Sequence, residues 1–310
     1  MGRRAGLTLS LMAMTSLAAT GAAARKPPPP PTGEIVLDMD DPIVETRISG
    51  ISYRLRVGLD QKDLVELNPE AAVRSGLAFE PGFDADVGRV TLRGIAATGE
   101  LDMAGRKTPV LVSSHGRECC AGADGAISPA LLPYALVRFV RKGVADRGEV
   151  RSFAMTGDDE HGLQLPVPIG GDFVYAAFAL DRADSVASSS AGAILAKAHG
   201  GRMTGTSGAT VAAFGVSRPT QTMTFSHTFS LAGFNFDRLP IRIADFAGHH
   251  ALPMPPAEPG DIVVKRRYPQ QAAWPVISIG RDRLDRCSEI IFATHTRALA
   301  LRCDFAGTTP

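Results

Sequence analysis

"VGLDQKDLVELNPEAAVRSGL" (Val57–Leu77) is the stretch whose reading decides the fold. An apolar run ends in an aspartate, Asp60. A short segment then opens on Asn68, runs through alanines and closes on Gly76-Leu77, the start and stop signals of a small helix. Strand, aspartate, turn, helix is one way to present a catalytic carboxylate. The other reading of Asp60 is a solvated turn residue that closes a strand. For a single such aspartate, that second reading is the commoner one.

A second stretch changes the weighing. "FALDRADSVASSSAGAILAKAHGG" (Phe178–Gly201) again runs apolar, Leu-Asp, two residues, Asp, and then an Ala-rich helix opening on Ser189 or Ser190 and stopping at Gly200. Each copy leads into a Thr- and Gly-rich region and then an alternating strand after a proline, "TPVLVSS" at Pro109 and "LPIRIAD" at Pro240. Each then reaches an apolar segment, "DGAISPALLP" and "WPVISIGRDRL". Five features recurring in order predict an internal duplication into two halves of ordinary domain size. Asp60 and Asp181 occupy the same place in the two copies. Asp63 and Asp184 recur three residues on and are read as caps of the following turn.

Strand signals dominate the rest. "VETRISG", "YRLRVGL", "RVTLRGI", "FVYAAFAL", "QTMTFSHTFSL" and "DIVVKRR" alternate or are β-branched, with Gly, Pro or Asp between them. "GGRMTGTSG" reads as a flexible β connection, and "ISPALLPYALVRFV" as a helical turn before a strand. The 310 residues hold 32 Gly and 22 Pro, which suits a turn-rich β fold. A net charge of +1 sets up no field to draw nucleic acid. The expected organisation is a signal peptide (1–24), a Pro-rich linker (25–42), a first lobe (43–145), a polar junction (146–171) and a second lobe (172–310).

The leader carries Arg3 and Arg4, a short apolar run Leu7–Ala19 and small residues at Ala22–Ala24. It reads as a cleaved export signal; an uncleaved anchor is the alternative. No later segment is long and apolar enough to span a bilayer. A periplasmic or secreted location permits disulfides. "CSEIIFATHTRALALRC" reads as a hairpin turning at His295, with Cys287 and Cys303 eight residues to either side, so these two are expected to pair. Adjacent Cys119 and Cys120 read as free buried thiols, or less commonly as a strained vicinal disulfide.

Other constellations say less. The seven histidines show no metal-ligand spacing, so no metal or cofactor is expected. "GHH" (Gly248–His250) and "DDEH" (Asp158–His161) read as polar surface. "SHGRECC" (Ser114–Cys120) offers a Cys-His pair, but such a nucleophile needs a geometry that sequence alone does not supply.

Together these residues resemble the aspartic peptidases, both the retropepsin-like bacterial proteins and the two-lobed pepsin-like ones. "RLRVGLDQKDLVELNPEAAVRSGL" looks like their catalytic loop and helix. "VISIGRDRL" resembles the apolar-apolar-Gly segment that packs beneath that loop, and "ADGAISPALLP" its first-half counterpart with Ser128 in place of glycine. The resemblance spans about Ile43 to Phe305. It implies a mainly β, two-lobed fold of duplicated barrel halves with a few short helices. It also implies Asp60 and Asp181 as a catalytic pair and a peptide or protein as partner in the cleft. The Asp-Thr-Gly signature is degenerate: Gln61-Lys62 and Arg182-Ala183 stand where the families have Thr-Gly or Ser-Gly. A cation beside either aspartate is expected to lower its pKa and favour two ionised carboxylates over a shared proton. A non-catalytic relative that binds peptide along exposed strand edges is the competing expectation.

Overall fold

The computed structural model describes residues 30–144, 148–157, 161–245, 252–253 and 274–306. The leader, "GHH", Asp158–Glu160 and "DIVVKRR" lie outside them.

Two seven-stranded sheets carry the repeat. The first runs Ile43–Ile48, Ile51–Val57, Gly125–Ile127, Val65–Leu67, Arg106–Ser114, Ile95–Met103 and Glu80–Pro81 in spatial order. The second runs Leu165–Ile169, Asp172–Phe178, Val276–Ile279, Val186–Ala187, Phe234–Arg242, Ser217–Leu231 and Gly201–Val211. In each, a strand from late in that half slots into third place. It lies parallel to the strand before the aspartate and antiparallel to the one after it. The five features that recur in sequence therefore recur as one topology. Pairing of Arg47 with Asp102 and Ile48 with Leu101 also joins the first sheet's ends, closing six strands into a barrel.

Alternation explains why these segments form half-buried strands. Along Ile43–Ile48, Val44, Thr46 and Ile48 face inward while Glu45 and Arg47 face out. The inserted strands are buried on both faces instead, as Gly125–Ile127 shows. Gly125 is required there, because a Cβ would come within 2.1 Å of Glu66 O.

A third, five-stranded sheet draws on three parts of the chain: Glu34–Asp38, Leu136–Val140, Cys287–Ala293, Ala298–Cys303 and Glu149–Ala154, in that order. The segments 25–42 and 146–171, set aside above as linker and junction, thus contribute strands. The expected hairpin is present, and Cys287 faces Cys303 across it in a disulfide with Cα atoms 3.9 Å apart. Phe139 and Phe292, both fully buried, tie this sheet to the main core with Phe178, Phe234 and Phe236.

The helices are Pro69–Arg74, Ser189–His199 and Arg281–Leu284. Ser188, one residue before the expected cap, closes the second by accepting from Ala191 N. Gly200 ends it in the left-handed conformation (φ 65°). Asn68 makes no cap bond. Its amide instead donates to Cys120 O and Ala123 O, and its side-chain oxygen accepts from Cys119 N. "GGRMTGTSG", expected to be a flexible β connection, is part of the strand Gly201–Val211, whose register shifts between Met203 and Ser207; its partner Ser217–Leu231 supplies a ladder that local composition does not reveal.

Candidate active site

The two aspartate loops are built alike. Gly58, two residues before Asp60, donates its N–H to Ile127 O at 3.1 Å; Ala179, two before Asp181, donates to Ile279 O at 2.9 Å. The end of each inserted strand thus fixes the backbone that turns into the aspartate. Leu59 and Leu180 point into the core beside them. Below the second loop Gly280 packs so closely that a Cβ would lie 2.6 Å from Asp184 C. At the equivalent place below the first loop stands Ser128, as the sequence comparison of the halves indicates.

Ser128 does specific work. Its hydroxyl donates to Asp63 Oδ1 at 3.0 Å, and Asp63 Oδ2 pairs with Arg297 at 2.8 Å. Asp63 is therefore tied to the inserted strand and to the C-terminal hairpin, rather than capping its own turn. The second half reaches the same end with the partners exchanged: Asp282 Oδ1 accepts from both the backbone N–H and the hydroxyl of Ser185, whose oxygen in turn accepts from Gly280 N. Each loop is clamped by one hydroxyl–carboxylate pair, but the donor sits on the loop in one half and below it in the other.

Asp60 and Asp181 line one cavity of about 700 Å³, together with Gln61, Lys62 and Arg182. Asp60 is half-buried and Asp181 exposed. Burial and the neighbouring Asp181 charge push the Asp60 carboxyl up to about 7, and the Arg182 cation offsets them only in part. The sequence had led to the opposite expectation for Asp60. Its cations are engaged elsewhere: Lys62 Nζ lies over the Phe83 ring, 5.2 Å from its centroid, and Arg182 donates to Val211 O at 2.6 Å. Desolvation and like charge therefore outweigh the adjacent guanidinium. Among the described residues, no side-chain hydroxyl donates to either carboxylate.

The Cys-His reading of "SHGRECC" does not survive. Cys119 and Cys120 are free thiols. Hydrogen bonding to Cys120, then burial, push the Cys119 thiol far above its ordinary range, which holds Cys119 as the thiol. His115 pairs with a residue the sequence had not singled out: its Nδ1 lies 3.0 Å from Glu66 Oε1, and its backbone N–H donates to the same oxygen at 3.0 Å. Ser113 Oγ donates to Glu66 Oε2. The one available signal was an acid inside the apolar run "LVEL". The remaining cavity wall includes Phe83, before the small hairpin Ala85–Val87/Val90–Leu92, and Phe214 from the second half. No spacing in the sequence joins these two.

No protein-family model matches the chain, and no curated protein does either. Among solved structures the chain is similar to the EIAV protease complexed with the inhibitor HBY-793, with 9% identity and a TM-score of 0.24 over 28% of this chain and 81% of that one. The architecture itself is mainly β and two-lobed, with one aspartate loop contributed by each half.

Proposed function

We propose that the protein binds an extended peptide in the cleft between its halves and hydrolyses it through Asp60 and Asp181. One observation carries this reading: two aspartates from equivalent loops share a cavity, and burial plus mutual repulsion hold Asp60 near neutrality rather than in the usual carboxylate range. A carboxyl titrating near 7 keeps a proton to give at mild pH. In the proposed step, Asp181 takes a proton from water as the water oxygen adds to the amide carbon. Asp60 gives its proton to the carbonyl oxygen. Collapse of the resulting diol breaks the C–N bond and returns a proton to the departing nitrogen. We place the protein outside the cytoplasm, supported by the leader's composition and by the Cys287–Cys303 disulfide.

A second reading has its own support. Neither aspartate is followed by Thr-Gly, and no described hydroxyl braces the pair. A cleft of this kind that has lost turnover would still bind peptide. The experiment is turnover of a mixed peptide library from acid to neutral pH, by wild type, Asp60→Asn and Asp181→Asn. Cleavage by wild type that vanishes in both variants supports the acid–base pair. Peptide binding with no cleavage at any pH makes the protein a binding module.

A further inference from the structure

The Glu66–His115 pair has no part in the proposed hydrolysis, yet both residues line the cavity. Their side chains are only 3% and 2% exposed. Glu66 is fully engaged: Oε1 accepts from the His115 backbone N–H, Oε2 accepts from Ser113 Oγ, and both oxygens lie within 3.1 Å of His115 Nδ1. A carboxylate facing Nδ1 places the neutral ring's proton on that nitrogen and leaves Nε2 as an acceptor. Nε2 is buried and has no hydrogen-bond partner among the described residues. A buried polar atom without a partner is costly, so its retention beside a cavity points to a ligand.

The surroundings define that ligand's shape. The Phe83 ring centroid lies 5.6 Å from that of the imidazole and the Phe214 centroid 4.8 Å from it, both rings tilted. Phe214 is held there by a turn that keeps it in the left-handed region (φ 57°, ψ 32°), a conformation unfavourable for a non-glycine residue. Gly94 packs its main chain beside the ring: a Cβ there would lie 2.2 Å from Phe83 O and 2.8 Å from His115 Nε2. Flat apolar walls around one acceptor suit an aromatic side chain carrying a donor at its tip.

We propose that Glu66, His115, Phe83 and Phe214 form a side-chain subsite of the cleft that takes a tyrosine of the bound peptide, its hydroxyl donating to His115 Nε2. The inference rests on the peptide-cleft reading but not on turnover. Glu66 is a positioning residue: it sets which nitrogen of His115 is free.

Two measurements on the full chain test it. The first is calorimetric binding of matched peptides carrying Tyr or Phe at each position to the Asp60→Asn protein. The expected result is about tenfold tighter binding of one Tyr peptide, the worth of one satisfied hydrogen bond, falling to parity in Asp60→Asn/His115→Gln while the Phe peptide binds as before. The second is nitrogen NMR of His115 in the unliganded protein and with 4-methylphenol or toluene, the two side chains without a backbone. Nε2 should report an unprotonated nitrogen that shifts with 4-methylphenol and not with toluene, and Glu66→Gln should mix the tautomers in a protein that still melts cooperatively. Peptide binding with no Tyr preference, or an Nε2–H in the free protein, overturns the subsite and leaves the cleft reading intact. A 4-methylphenol response in a protein that binds none of the peptides by calorimetry keeps a phenol site at His115 and sinks the peptide reading. Equal shifts with both probes mean that a buried water alone satisfies Nε2, and overturn the proposal.

Discussion

At the scale of single residues, Asp60 is where local chemistry and tertiary environment pull in opposite directions. Its neighbours in sequence and in the facing loop, Lys62 and Arg182, would depress it; the cavity and Asp181 raise it. Raising a carboxyl from 3.8 to about 7 means that the fold favours the protonated form. The stability this group contributes is fully present below about pH 4 and is lost as pH rises through about 7. Asp60→Asn, which cannot ionise, is therefore expected to match wild type near pH 4 and to exceed it by about 2–4 kcal/mol above pH 8. Denaturant midpoints at the two pH values check this; equal midpoints at pH 8 would remove the buried-carboxyl account. The same assignment fixes the direction of the pH–rate profile. If Asp60 must carry its proton, kcat/KM falls as pH climbs through about 7. Arg182→Ala, which removes the one offsetting cation, should move that limb upward by a fraction of a unit to one unit, a shift read from the profile or from Asp60 carboxyl NMR.

At the scale of elements, the inserted strands Gly125–Ile127 and Val276–Ile279 decide where the aspartates stand. Ile127 has no exposed surface and pairs with Val57 on one side and Val65 on the other. Ile127→Ala is expected to cost about 2–5 kcal/mol, the usual range for truncating a buried isoleucine, with peptide turnover, on the hydrolytic reading, falling further than stability as the strand whose carbonyl holds Gly58 loses its packing. Guanidinium unfolding and a single-turnover assay separate the two effects. The clamps can be tested by breaking one. Ser128→Ala leaves Asp63 Oδ1 without its hydroxyl donor while Arg297 still holds Oδ2. A loss of about 1 kcal/mol is expected, and none would mean that Arg297 alone orders the loop. Both helices that follow the aspartate loops were legible from the chain, because an alanine-rich run with a Gly stop is a local signal, although Asn68 makes no cap bond and Ser188 caps the second helix. The strand at Gly201–Val211 was not, because a Gly- and Thr-rich segment is made a strand only by the partner beside it.

At the scale of the whole molecule, the five-stranded sheet gathers residues from before, between and after the two repeats, and the disulfide closes its central hairpin. The bond spans 16 residues of sequence. Cys287→Ser/Cys303→Ser is therefore expected to lose about 3 kcal/mol by the loop-entropy relation, seen as a lower denaturant midpoint that reductant no longer changes. The halves also meet above the cavity: Val87 packs with Ala212 and Val216, and a Cβ on Gly88 would lie 2.3 Å from Asp245 Oδ1. Asp245 is held there by Arg218 and Arg242.

The chain by itself determined the duplication, the strand-rich class, the two aspartate loops and the Cys287–Cys303 pairing. Each of these is written in period, punctuation or spacing over a few dozen residues. Tertiary structure alone decided which groups share the cavity and how they titrate. Glu66 meets His115 across 49 residues, and Phe83 and Phe214 bracket that histidine from opposite halves. Burial, unlike charge, cannot be read off the neighbours of Asp60 in the chain. It arises only when both loops are turned toward one cavity, and there desolvation and a like charge outweigh the cation beside them.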